Sequence, residues 1–153
     1  MTGKSLQWIA LVLMGILLVP SGAHLLTLPN KIGLAADPYF IVQGIYRGWA
    51  WFGAVLLAAL GANFAVTVLF WNDGIARWLA LVAFLAVVAS LAIFFVWVYP
   101  GNQATVNWTF VPENWAMLRR RWEYGHAAGA IVILLGFAAL AAAVVTAGGS
   151  RGD

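Results

Sequence analysis

The sequence predicts an all-α integral membrane protein: an antiparallel, up-down bundle of four helices in one domain over 1–153, with a small polar and amphipathic cap on one face. Three observations predict it. Of 153 residues, 64% are hydrophobic and 8% charged, against about 25% charged in an average soluble domain, so too few polar side chains exist to wet the surface of a soluble globule. Four stretches, 5–24, 48–71, 77–99 and 123–147, carry no more than one Asp, Glu, Lys or Arg each, and each is close to the ~20 residues that a hydrocarbon core about 30 Å thick demands. Trp8, Trp71 and Trp78 fall at one set of ends, and Trp49, Trp51, Trp97, Trp108, Trp115 and Trp122 at or beyond the other, as indoles that prefer the headgroup zone should.

Backbone groups in lipid must be paired within their own segment, so each stretch is read as a helix. The first, with Lys4 before it and Ser21-Gly22-Ala23 near its end, has the outline of a cleaved signal; a retained helix is the expectation. The second and third are joined by Trp71-Asn72-Asp73-Gly74, a tight-turn signal that makes a hairpin. The other two connections are long and share the opposite side, the motif face. Asp37-Pro38 reads as an N-cap followed by N1, which predicts one helix from Pro38 to Phe70, roughly 50 Å long at 1.5 Å per residue. Pro112-Glu113 reads as a similar start for the last helix. Both would project beyond the hydrocarbon.

The net charge of +3 comes from basic residues at segment ends, which fits anionic headgroups and excludes a nucleic-acid partner. The chain has no cysteine, so disulfides, thiol catalysis and Cys-based metal sites are excluded. Lys31, Arg47, Arg119, Arg120 and Arg121 lie on the motif face, against Lys4, Arg77 and Arg151 on the other. The positive-inside rule then puts the motif face in the cytoplasm, whereas the signal-like first segment argues the reverse. The expected location is a bacterial-type inner or plasma membrane, crossed several times.

Chemistry concentrates where the last helix begins. Trp115, Arg119, Trp122, Glu123 and His126 fall within about 100° of one helical face. Glu123 and His126 are i and i+3 and can reach one point; Arg119 is i−4 to Glu123 and can pair with it. His24, at the end of the first span, lies at the same rim. The bland reading is a salt bridge and an interfacial histidine that cap the bundle. The sharper readings are acid–base work by His126, Glu123 and Arg119, or a single metal ion held by His24, Glu123 and His126, the donor set of a facial triad. A di-iron site is not expected, because a second Glu-x-x-His is missing. Around the same opening stand Asn30, Lys31, Tyr46, Arg47, Asn102, Thr105, Trp108, Trp115 and Trp122. Together with His24 they suggest a pocket for a ligand with an apolar body and an oxygen-bearing edge; singly, each is read as loop capping or interface anchoring. Gly125/Gly129 and Gly44/Gly48 form small-residue pairs that serve packing within the chain or a homo-oligomer. Asn63, Thr67 and Ser90 are read as interhelical hydrogen-bond partners.

The segment Asn102-Gln103-Ala104-Thr105-Val106-Asn107-Trp108, then Pro112 to Trp115, then Leu118-Arg119-Arg120-Arg121-Trp122-Glu123-Tyr124-Gly125-His126, resembles a four-helix membrane family that includes fungal anthrone oxygenases. The resemblance covers the architecture and is best over the last third of the chain. Trp122 and His126 keep that family's Trp-x-x-x-His spacing; Gly125 stands where an Asn would precede the histidine, and Ala128 and Gly129 where an arginine would follow. It implies oxidation of a polycyclic phenol to a quinone with no dedicated redox cofactor: His126, positioned by Glu123 or Arg119, removes a proton, and Trp122 and Trp108 stack on the substrate. The expected partners are therefore the bilayer and a lipophilic, aromatic small molecule. The alternative is a non-catalytic assembly or docking partner of another membrane protein. A transporter component is disfavoured because no charged residue lies mid-span.

Overall fold

A computed structural model describes residues 2–149; Arg151 lies outside the described residues. The chain forms α1 (Gly3–Lys31), α2 (Ala36–Gln43), α3 (Phe52–Leu69), α4 (Gly74–Ile93), α5 (Tyr99–Ala104) and α6 (Trp115–Gly149). Four rods are long and apolar enough to cross a membrane: α1, the stretch Trp49–Leu69, the stretch Gly74–Ala104, and α6. They pack in the cyclic order α1, α3, α4, α6. The protein is a multi-pass, helical membrane bundle.

Its core is built from small side chains. Ala10, Ala59, Ala76, Ala80, Ala83 and Ala143 are buried together with Met14, Phe70, Ile133 and Leu140. Lipid tails are as apolar as leucine, so the helices gain by approaching closely, not by leaving water. Gly136 shows how close. A Cβ built there would lie 2.6 Å from the Ala86 Cβ and 3.3 Å from the Met14 Cε. Gly136→Ala is expected to destabilise the bundle by about 1–3 kcal/mol through overpacking. Adding Ala86→Gly should recover most of that loss in a reversible denaturant titration in mixed micelles. No loss in the single variant would mean that α4 and α6 are not held at this spacing.

The outer surface is apolar at mid-height and aromatic at the rims. Trp8, Trp71 and Trp78 are exposed at the plain end, and Trp51 and Trp97 at the capped end. Arg77 lies over Trp78, 4.6 Å from its ring centroid, which keeps the charge in the headgroup zone. The hairpin is as tight as its sequence predicts, with α3 ending at Leu69 and α4 starting at Gly74.

Three expectations about the elements need correction. The span from Pro38 to Phe70 is not one helix. Two short 3₁₀ turns, Gly44–Tyr46 and Trp49–Trp51, interrupt it, and Gly48 between them has φ +88°, a left-handed conformation that glycine adopts without steric cost. α2 therefore lies apart from the spanning rod, and its N-cap is Ala35, with Asp37 in the first turn. The last helix starts at Trp115, not at Pro112. Asn63 and Thr67 do not bond across helices. The Asn63 Nδ2 donates to the Ala59 carbonyl at 2.8 Å, and the Thr67 hydroxyl to the Asn63 carbonyl at 2.9 Å. Of the two small-residue pairs, the one on α6 serves packing within the chain. A Cβ at Gly125 would lie 2.9 Å from the Trp97 Cβ, while Gly44 and Gly48 fall in the interrupted stretch between α2 and α3 and do not share one helix.

The third rod changes pitch as it reaches the cap. Residues Phe94–Val98 form a π turn, which adds a residue to the turn and re-aims the chain beyond it. It lets Trp97 and Val98 pass against the bare backbone of Gly125. Beyond α5, Val106, Asn107 and Trp108 all have positive φ, at 51°, 54° and 66°. A left-handed residue with a side chain costs roughly 1–2 kcal/mol, so this run needs compensation. Some comes from Thr105, which is fully buried. Its hydroxyl donates to the Gly101 carbonyl at 2.7 Å and accepts the Trp108 backbone N–H at 3.0 Å.

Candidate functional site

The capped end of the bundle encloses a cavity of about 740 Å³, within the size range of small-molecule sites. α1 contributes Pro20, Ser21 and His24 to its wall, and α6 contributes Trp122, His126 and Gly129. The broken stretch between α2 and α3 adds Tyr46, Arg47, Gly48 and Trp49. Leu57 and Phe95 also line it; both are exposed on the flank of the bundle, one on the second spanning rod and one on the third. The cavity lining thus includes side chains exposed on the second and on the third rod.

Two imidazoles meet in its wall. The His24 and His126 rings stack with centroids 3.8 Å apart and planes 13° from parallel. Trp122 stands edge-on to both, at 5.0 Å from His24 and 4.2 Å from His126. Tyr46 covers the other side of His24 at 4.3 Å, and Trp49 packs edge-on at 5.6 Å. His126 can sit here because it is one turn beyond Trp122 on a helix whose Gly125 and Gly129 give room to the third rod.

Behind the aromatic layer lies a buried polar network. Glu123 is 1% exposed and Lys31 3%. The Lys31 Nζ is 3.0 Å from the Glu123 Oε1 and donates to the Tyr46 hydroxyl at 2.8 Å. The Tyr39 hydroxyl donates to the same Glu123 oxygen at 2.9 Å, and the Gln43 Nε2 approaches it at 3.5 Å. Tyr39 and Gln43 are i and i+4 on α2, so both reach one point. Burial first, and then the charge of Glu123, push the Tyr39 phenol well above its ordinary pKa of 10. It therefore remains a protonated donor to the carboxylate. This network fixes α2 across the end of α1 and α6.

A second anchor is Asn102. Its Oδ1 accepts the Trp122 indole N–H at 2.7 Å and the Trp108 indole N–H at 3.2 Å. Trp108 and Trp122 pack edge to face at 5.5 Å, and Tyr39 meets Trp108 at 5.3 Å. The strained turn thus presses its tryptophan into the cap.

The structure sorts the residues singled out by sequence. His24, Tyr46, Arg47, Asn102, Trp108, Trp122 and His126 line the cavity. Lys31 and Glu123 stand behind it. Thr105 serves the turn, and Asn30 is exposed on the last turn of α1. Arg119 does not pair with Glu123. Lys31 takes that place, and the Arg119 guanidinium donates to the Leu34 carbonyl while lying 4.7 Å from the Trp115 ring centroid. Trp115 accordingly braces the cap from outside the cavity. Nor do His24, Glu123 and His126 form a metal-binding group; no cluster of three His, Cys, Asp or Glu suited to an ion occurs among the described residues. The physical reason is that the His24 and His126 rings stack face to face, so their in-plane nitrogen lone pairs do not converge on one point; the Glu123 Oε1 is held by Lys31 and Tyr39, and its Oε2 is left without a partner. Tyr39, Phe40 and Gln43 are not among the residues singled out by sequence. A signal for Tyr39 and Gln43 existed in the i, i+4 spacing of a tyrosine and an amide after Pro38.

Comparison with family models, with curated proteins and with solved structures finds no match to this chain.

Proposed function

We propose that this membrane protein binds a lipophilic aromatic molecule in the cavity and oxidises it there, with His126 as the base. The observation that carries the reading is the pair of stacked imidazoles in the wall of an aromatic-lined cavity about 740 Å³ in volume. Such a wall suits a flat apolar body, since rings prefer offset or edge-to-face neighbours. Trp122, Trp49 and Tyr46 supply them.

The resemblance to the family of anthrone oxygenases supplies the reaction class. The substrate carries a CH₂ group made acidic by a neighbouring ring carbonyl. His126 takes one proton from it, and the electron pair passes to the carbonyl oxygen. Dioxygen accepts electrons from this anion and forms a C–O bond, and the resulting peroxide regains the proton. Loss of the second C–H proton with cleavage of the O–O bond leaves a ketone and one water. One oxygen atom enters the product, one enters water, and no further reductant is consumed. Lys31 and Glu123 act through Tyr46, which they hold against His24; they do not meet the substrate.

The test is oxygen consumption by the protein in lipid nanodiscs with 1,8-dihydroxy-9-anthrone, corrected for the rate in empty nanodiscs. The native protein should exceed that background, and His126→Ala should lower the excess about 100-fold or more, the usual worth of a positioned base. A native rate equal to background would overturn the oxidation, and an unchanged rate in a folded His126→Ala protein would overturn His126 as its base.

A further inference from the structure

Two residues of the cavity lining each hold a buried polar atom with no hydrogen-bond partner among the described residues: the Gln43 Oε1 and the His24 Nδ1. Both side chains are more than nine-tenths buried, at 5% and 6% exposure, and both belong to the cavity lining. A buried polar atom without a partner is costly, so each such atom in a folded protein asks for an explanation. An imidazole nitrogen accepts or donates according to its tautomer, and His24 therefore does not discriminate between ligands. Gln43 does. Its two amide ends differ in kind, and its orientation is decided by its neighbour. The Nε2 faces the Glu123 Oε1 at 3.5 Å; the reverse orientation would set an oxygen against a carboxylate oxygen. That carboxylate is itself fixed by Lys31 and Tyr39. The Gln43 Oε1 is thus left as an oriented acceptor.

We propose that Gln43 is a specificity residue, whose Oε1 selects ligands that donate a hydrogen bond, phenols above all, over ethers and quinones of the same shape. This rests on the binding reading given under the proposed function and names the chemical edge that the site recognises. The buried ion pair then acquires a role in recognition. Lys31 and Glu123 hold the amide so that an acceptor, not a donor, meets the ligand.

The probes are 2-naphthol and 2-methoxynaphthalene, which share one apolar body and differ in the hydroxyl donor. Binding to the full chain in detergent micelles is measured by titration calorimetry, with the partition heat of empty micelles subtracted. The naphthol should bind about ten-fold more tightly, the order expected for one buried hydrogen bond. In Gln43→Met the naphthol should fall to the level of the ether. Equal affinity of the two probes for the native protein would overturn the inference alone, because the cavity would still bind aromatic molecules. A preference that persists in a folded Gln43→Met protein would also overturn it. Binding of neither probe would overturn both this inference and the proposed function.

Discussion

Lys31→Met is expected to lower the unfolding free energy by about 3–5 kcal/mol, the range for leaving one member of a buried ion pair without its partner. The carboxylate of Glu123 is nearly inaccessible, and its Oε1 would keep only the neutral donors Tyr39 and Gln43. The double variant Lys31→Met/Glu123→Leu should regain most of the loss, since replacing both charges by apolar groups of similar volume is often close to neutral. Reversible unfolding in mixed micelles gives both values. A single variant within about 1 kcal/mol of the native protein would show that the pair is solvated and belongs with exposed bridges. Added salt should change the native stability little, because the pair is out of reach of screening ions.

The second large effect belongs to Asn102. Asn102→Ala removes the acceptor shared by two indoles. Each buried donor left without a partner costs about 1–3 kcal/mol, so a loss of roughly 2–5 kcal/mol is expected. The neighbouring exposed Gln103 provides the control, and Gln103→Ala should stay within about 0.5 kcal/mol. The Asn102 variant should also free the left-handed turn, and acrylamide should then quench tryptophan emission more strongly than in the native protein. Unchanged stability and quenching would mean that the turn is held by Thr105 alone.

The fold was readable because lipid imposes it. Uncharged runs of membrane length, tryptophans at their ends and the Asn72-Asp73-Gly74 turn are local signals, and each of them is present in the structure. The shared rim of His24 and His126 followed from topology, since an even number of crossings returns the chain to the same side. What local reasoning missed were the partners of each charge. Arg119 is nearer to Glu123 in sequence, yet Lys31 reaches the carboxylate from another helix because α1 runs on past the span to bring it there. The break at Gly48 was masked by the periodicity on either side. Gly44 and Gly48 read as a helix-packing pair until the left-handed backbone at Gly48 is seen. The π turn at Phe94–Val98 leaves no mark in composition. It arises because the third rod has to pass the bare backbone at Gly125.

Leu57 and Phe95, exposed on the second and third rods and bordering the cavity, bear on how a binding constant for the proposed ligand is to be read. A solute entering past these two side chains would arrive from the hydrocarbon phase, where an apolar aromatic accumulates far above its aqueous level. Occupancy then follows the mole fraction of solute in lipid, and doubling the lipid at fixed protein and fixed total solute halves the effective dose. Titrations run at two lipid-to-protein ratios should therefore coincide only when plotted against solute per lipid.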